Sequence, residues 1–150
     1  MIVLQSKINF DKIANHAKTL YTTGFSCSES IVCAIRDEMK LDLPREIIAM
    51  ASGFSAGMSS GCACGALTGG VMALGIFFGK SELGHDSTRV RELSNELYEY
   101  FRNTTNKESV YCRTLTSGLD MSLGEHKSQC AEYVGAVAKK VSEIVNREML

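Results

Sequence analysis

The residues of this chain best able to do chemistry are its six cysteines: Cys27, Cys33, Cys62, Cys64, Cys112 and Cys130. Cys62 and Cys64 lie in the stretch Gly53 to Gly79, which holds eight of the 13 glycines and no charged residue. Its first half is too rich in Gly and Ser to hold a regular helix unaided. Its second half, from about Ala66, reads as an apolar helix. Both thiols then fall near a helix N-terminus, where the dipole and unpaired N–H groups favour thiolate. Thiolate is the form that binds metals and attacks disulfides. Cys27 is expected in the first turn of another helix, in the same electrostatic position. Cys33, six residues on, points well away from Cys27 and sits among Ile31, Val32, Ala34 and Ile35, so it reads as a small buried hydrophobe. His126 precedes Cys130 by four residues, a spacing that suits two ligands or a thiol with a base.

Other chemistries find no support. Ser28 or Ser30 as a nucleophile needs a base and an orienting acid, and His16, His85 and His126 are scattered. His16 reads as a surface residue of a helix and His85 as a loop residue without a role. The Gly-rich run lacks the Gly-Lys-Ser/Thr ending of a phosphate-binding loop, and no dinucleotide fingerprint follows a strand. Cys62-Ala-Cys64 is not the Cys-x-x-Cys of thioredoxin-like motifs. The gaps between Cys27, Cys64, Cys112 and Cys130 match neither zinc-finger nor ferredoxin runs, so spacing alone names no metal.

The elements that must position these thiols are helical. A first helix is predicted over Ile8 to Thr22, capped by Asn9 or Asp11, with Ile13, Ala17, Leu20 and Tyr21 as its apolar stripe and Gly24 ending it. Ser26 and Glu29 form a capping box that opens a second helix, to about Met39. Pro44 suits the first position of a short helix through Met50. A fourth long helix is predicted over Ser87 to about Thr105, burying Val90, Leu93, Leu97, Tyr98 and Phe101. Val110 to Leu115 reads as a short helix or a turn. The last helix runs from His126 to about Met149 along Tyr133, Val134, Val137, Val141 and Val145. The expected fold is all-α, one domain over 1–150, a compact bundle of five to six helices around a central Gly-rich helix. Glycines at 53, 57, 61, 65 and 69 recur every fourth residue, a spacing that lets a neighbouring helix approach closely and also suits a homodimer seam.

Composition bounds the function. A net charge of −1 with no basic cluster gives no support for a nucleic-acid partner. The apolar run Ala66 to Phe78 is shorter than the ~20 residues of a membrane span, so a buried helix is expected instead. The N-terminal residues lack the basic start and apolar run of a secretory signal, and a cytoplasmic protein is expected. In that compartment, cysteines read as metal ligands or redox thiols rather than structural disulfides.

The chain resembles the C_GCAxxG_C_C family of redox-active proteins. The matching pieces are Gly24-Phe25-Ser26-Cys27, then Cys64-Gly65-Ala66-Leu67-Thr68-Gly69, then Cys112, then Cys130 ahead of the final helix. The resemblance runs over nearly the whole chain. It implies that Cys27, Cys64, Cys112 and Cys130 are the family's characteristic cysteines, with Cys33 and Cys62 as extras. Cys62 sets a second thiol beside Cys64, so either is a candidate redox-active thiol. A related domain occurs in split-Soret cytochrome c, where such cysteines are thought to hold an iron–sulfur centre. The chain has no Cys-x-x-Cys-His motif, so haem does not carry over.

The leading expectation is therefore a redox protein whose Cys27, Cys64, Cys112 and Cys130 bind an iron–sulfur cluster, [2Fe–2S], and exchange electrons with a redox partner. Zinc is the variant that a four-thiolate site also satisfies. The alternatives are a metal-free thiol–disulfide protein or sensor, and a helical dimer whose cysteines are core fillers.

Overall fold

The structure is a computed structural model that describes residues 2–4 and 6–150. Among these it contains seven α-helices and no strand. Five are long: α1 (Phe10–Thr23), α2 (Cys27–Glu38), α4 (Gly65–Phe78), α5 (Thr88–Thr104) and α7 (Lys127–Met149). The other two, α3 (Glu46–Ala49) and α6 (Cys112–Leu115), are single turns. The count thus exceeds the five to six expected, because Val110 to Leu115 resolves into an extended residue pair followed by α6.

Local chemistry sets the helix starts. The Asn9 side chain accepts the Lys12 N–H at 3.0 Å and caps α1. At α2 the Ser26 N–H donates to Glu29 Oε2 at 2.9 Å, one arm of the capping box. Gly24, at φ 141°, ends α1 and turns the chain into α2.

Packing is distributed rather than centred on one glycine-rich helix. α7 packs against each of α1, α2, α4 and α5, whereas α4 packs chiefly against α2, α5 and α7. The core draws Ile13 and Ala17 from α1, Ile31 and Ile35 from α2, Leu74 from α4, Leu97 and Phe101 from α5, and Val134 to Val145 from α7. Phe101 meets Tyr133 edge to face, with ring centroids 5.6 Å apart. At the surface, Arg147 forks onto Glu96 at 2.8 and 2.9 Å and joins α7 to α5. Lys139 reaches Asp11 at 2.9 Å and joins α7 to α1. His16 of α1 lies 2.9 Å from Glu38 of α2.

Four of the five periodic glycines divide into two kinds, while Gly53 makes no close approach and has no positive φ. Gly65 and Gly69 make the expected close approach: a Cβ at Gly69 would lie 2.8 Å from Ser28 Cα, and one at Gly65 would strike Cys27 Sγ. They hold the N-terminal ends of α2 and α4 together. Gly57 and Gly61 instead belong to a wide turn with positive φ, 62° and 68°. Between and beside them Ala56, Met58 and Ser59 also adopt left-handed conformations, at φ 52°, 59° and 52°. No helix of the described residues is long and apolar enough to cross a membrane.

Candidate functional site

The characteristic cysteines enter the structure at the beginnings of helices. Cys27 is the first residue of α2, Cys64 the N-cap of α4, Cys112 the first residue of α6, and Cys130 the fourth residue of α7. The four helix starts converge, and all four cysteines line one cavity of about 420 Å³. Tyr21, His126 and Lys127 also line it. Cys62 and Cys33 do not. Cys33 is 1% exposed and packs with Val32, Ile48 and Ala51, as a buried hydrophobe does. Ser28, fully buried, spends its hydroxyl on the Ala51 carbonyl at 2.7 Å.

Two backbone devices fix these positions. The first is an antiparallel bridge between Ala63 and Tyr111, in which the Cys64 N–H donates to the Val110 carbonyl at 2.8 Å and the Cys112 N–H to the Cys62 carbonyl at 2.7 Å. This bridge brings the start of α6 alongside the start of α4. The second is the left-handed turn, closed by the Cys62 N–H on the Gly57 carbonyl at 3.1 Å. Neither was expected from the sequence.

Electrostatics at the site run against the expectation of ready-made thiolates. Burial pushes Cys64 up to about 12 and Cys130 up to about 11, and raises Cys27 and Cys112. The N–H groups of Ala66 and Leu67 do favour a charged Cys64, and those of Ala56, Ser28 and Cys27 a charged Cys27. Desolvation outweighs them, and Cys27, Cys64 and Cys130 would each also feel a neighbouring thiolate. Burial thus favours neutral thiols, and at Cys27 and Cys64 backbone N–H groups stand ready to receive negative charge on sulfur.

Residues that the sequence analysis did not single out complete the cavity. Tyr21, read only as part of an apolar stripe, faces Cys130; burial and that sulfur both raise its phenol. Its place at the end of α1, three residues before Gly24, was the available signal. His126 and Cys130 both line the cavity, as their spacing allowed, with the Cys130 N–H on the His126 carbonyl at 2.9 Å. His126 Nδ1 is buried with no hydrogen-bond partner among the described residues. All six cysteines are unbonded. Among the described residues, no three His, Cys, Asp or Glu side chains are gathered as a ligand group for a single metal ion.

The structure is thus an all-helical protein with cysteines at four helix starts around a common cavity. The family model described as "Putative redox-active protein (C_GCAxxG_C_C)" matches residues 25–144, and the chain belongs to that family. No curated protein and no solved structure matches it.

Proposed function

We propose that the protein is an electron carrier in which Cys27, Cys64, Cys112 and Cys130 hold a [2Fe–2S] cluster in the cavity. The observation that carries this reading is the convergence of these four thiols, from four separate helix starts, on one cavity of about 420 Å³. Four cysteine thiolates are the usual ligand set of such a cluster. The helix starts suit it further. N–H groups of Ala56, Ser28, Ala66 and Leu67 directed at Cys27 and Cys64 would receive the negative charge of metal-bound sulfur.

When bound, the cluster supplies one-electron transfer. The chain's own residues bind and enclose it. α7 closes the cavity with Cys130, the Gly65 and Gly69 contacts bring Cys27 beside Cys64, and the Ala63–Tyr111 bridge supplies Cys112. Tyr21 faces the Cys130 sulfur, where a hydrogen bond would tune the potential. Anaerobic purification and reconstitution, followed by iron and acid-labile sulfide analysis, tests the reading. Equal iron and sulfide with a visible absorption band is the expected result. A colourless, iron-free protein after reconstitution would overturn it.

A further inference from the structure

The left-handed turn forms part of the cavity wall, since Ser55 and Ala56 line the cavity together with Cys27. φ is positive at four successive residues, Ala56, Gly57, Met58 and Ser59, three of which carry a side chain. L residues adopt that conformation singly and not in runs. Backbone held in this way persists only where its surroundings over-determine it, and it gathers at ligand clamps and switches. Here the restraints sit at the two ends. At one end the Phe54 carbonyl lies 3.0 Å from the place a Gly65 Cβ would take, and the Ala56 N–H is directed at the Cys27 sulfur. At the other, the Cys62 N–H closes on the Gly57 carbonyl at 3.1 Å, and a Cβ on Gly61 would come within 2.9 Å of Arg113 Cβ, beside Cys112. The middle, Met58 to Ser60, is exposed and packs against nothing in the core. The segment thus crosses from the starts of α2 and α4 to the start of α6, strained in its backbone and poor in buried contacts, which marks a unit of low local stability.

We infer that residues 55–61 are a strap that opens by local unwinding of the left-handed turn and thereby controls the access of small molecules to Cys27 and Cys64. Cys27 is half-buried and touches the strap directly; Cys64 is 7% exposed and precedes the glycine on which the Phe54 carbonyl rests. Unwinding carries the Ala56 N–H off the Cys27 sulfur and uncovers both thiols without disturbing the helices behind them. Two positions set the balance between closed and open. Met58 is exposed, so glycine there relieves strain in the closed strap and removes no core contact. Gly57 is buried at φ 62°, and a Cβ there would lie 2.4 Å from the Cys62 nitrogen, so alanine cannot close the turn. The strap belongs to the apoprotein, and the inference does not rest on the cluster reading.

The test labels the reduced, metal-free full-length chain with N-ethylmaleimide at one fixed pH, quenches at intervals, and assigns each label by mass spectrometry of the tryptic peptides. Cys33, 1% exposed in the second apolar cluster, reports global unfolding in the same samples. Cys27 and Cys64 should react well ahead of Cys33 in the wild type. Their rates should fall several-fold in Met58→Gly and rise several-fold in Gly57→Ala, with Cys33 unchanged. Equal Cys27 and Cys64 rates in all three proteins, or rates that follow Cys33, would overturn the inference. Should Gly57→Ala fail to fold, rapid Cys33 labelling will show it, and the Met58→Gly comparison decides alone. Amide hydrogen exchange gives a second readout. The amides of residues 56–62 should exchange far faster than those of α7 in the wild type and more slowly in Met58→Gly, and exchange at the same rate in both proteins would overturn the strap.

Discussion

Cys64 is the most deeply buried of the cavity thiols, 7% exposed, and its proton is correspondingly hard to remove. The ordinary thiol value is 9.0, and folding raises Cys64 to about 12 and Cys130 to about 11. Between those limits the unfolded apoprotein loses protons that the folded one keeps. Apoprotein stability is therefore full below about pH 9 and falls as pH rises through the folded values. Urea midpoints of the apoprotein across this range should show the fall, and Cys64→Ala should flatten it. On the cluster reading proposed above, iron loading should have the opposite dependence, because each ligand would have to give up its proton, so affinity should strengthen with rising pH. Serine at any one of Cys27, Cys64, Cys112 or Cys130 should lower the iron retained after gel filtration by tenfold or more, whereas Cys33→Ala should retain it. Equal iron in all five variants would remove these cysteines from the ligand set.

At the scale of elements, the left-handed turn is the least expected piece of the molecule. Non-glycine residues in that conformation cost about 1–2 kcal/mol each. Glycine at Met58 or Ser59 should relieve that cost, less the added chain entropy, and stabilise the apoprotein by about 0.5–1 kcal/mol. The urea midpoint measures it. The opposite outcome is expected for Gly69→Ala, whose new methyl group would meet the Ser28 backbone at 2.8 Å and force α2 and α4 apart. That change should destabilise by about 1–3 kcal/mol and weaken iron retention together. The contrast explains what the sequence disclosed. Asn9, Ser26 and Glu29 announce their helix starts through side-chain hydrogen bonds that depend only on local spacing. The Ala66–Phe78 run is too apolar to be anything but a packed helix. The turn at Ala56, Met58 and Ser59 violates local preference, so no residue type advertises it. The Ala63–Tyr111 bridge joins segments almost fifty residues apart and consists of backbone bonds alone, which side-chain patterns do not encode. The grouping of Cys27, Cys64, Cys112 and Cys130 was legible through family resemblance, but their common cavity needed the fold.

Across the whole molecule, α7 joins the helices that carry the site. Its ion pairs with α5 depend on ionised carboxylates: the Arg147 guanidinium holds Glu96 below its usual range, and Arg89 with Arg147 does the same for Glu148. Such pairs contribute fully above the ordinary carboxylate value and are lost as pH falls through the lowered value of the folded state. These side chains are exposed enough for the effect to be small and salt-sensitive. Arg147→Ala should lower the Tm slightly at neutral pH, and the difference from wild type should shrink as acidification protonates Glu96 and Glu148. On the proposed reading, iron loading should act in the other direction and on a larger scale, since a group that bridged four helices would stabilise only the assembled state. Holoprotein should melt well above apoprotein, and equal Tm values would contradict binding across the bundle.

The order of these helices along the chain matters during synthesis. Cys27, Cys64 and Cys112 leave the ribosome before Lys127–Met149, the segment that covers them and brings the last sulfur. A nascent chain thus presents open thiols to its surroundings until its final helix docks. Newly made molecules should be the population most easily damaged by oxidants, and premature termination before Lys127 should yield a product that neither buries its core nor retains iron.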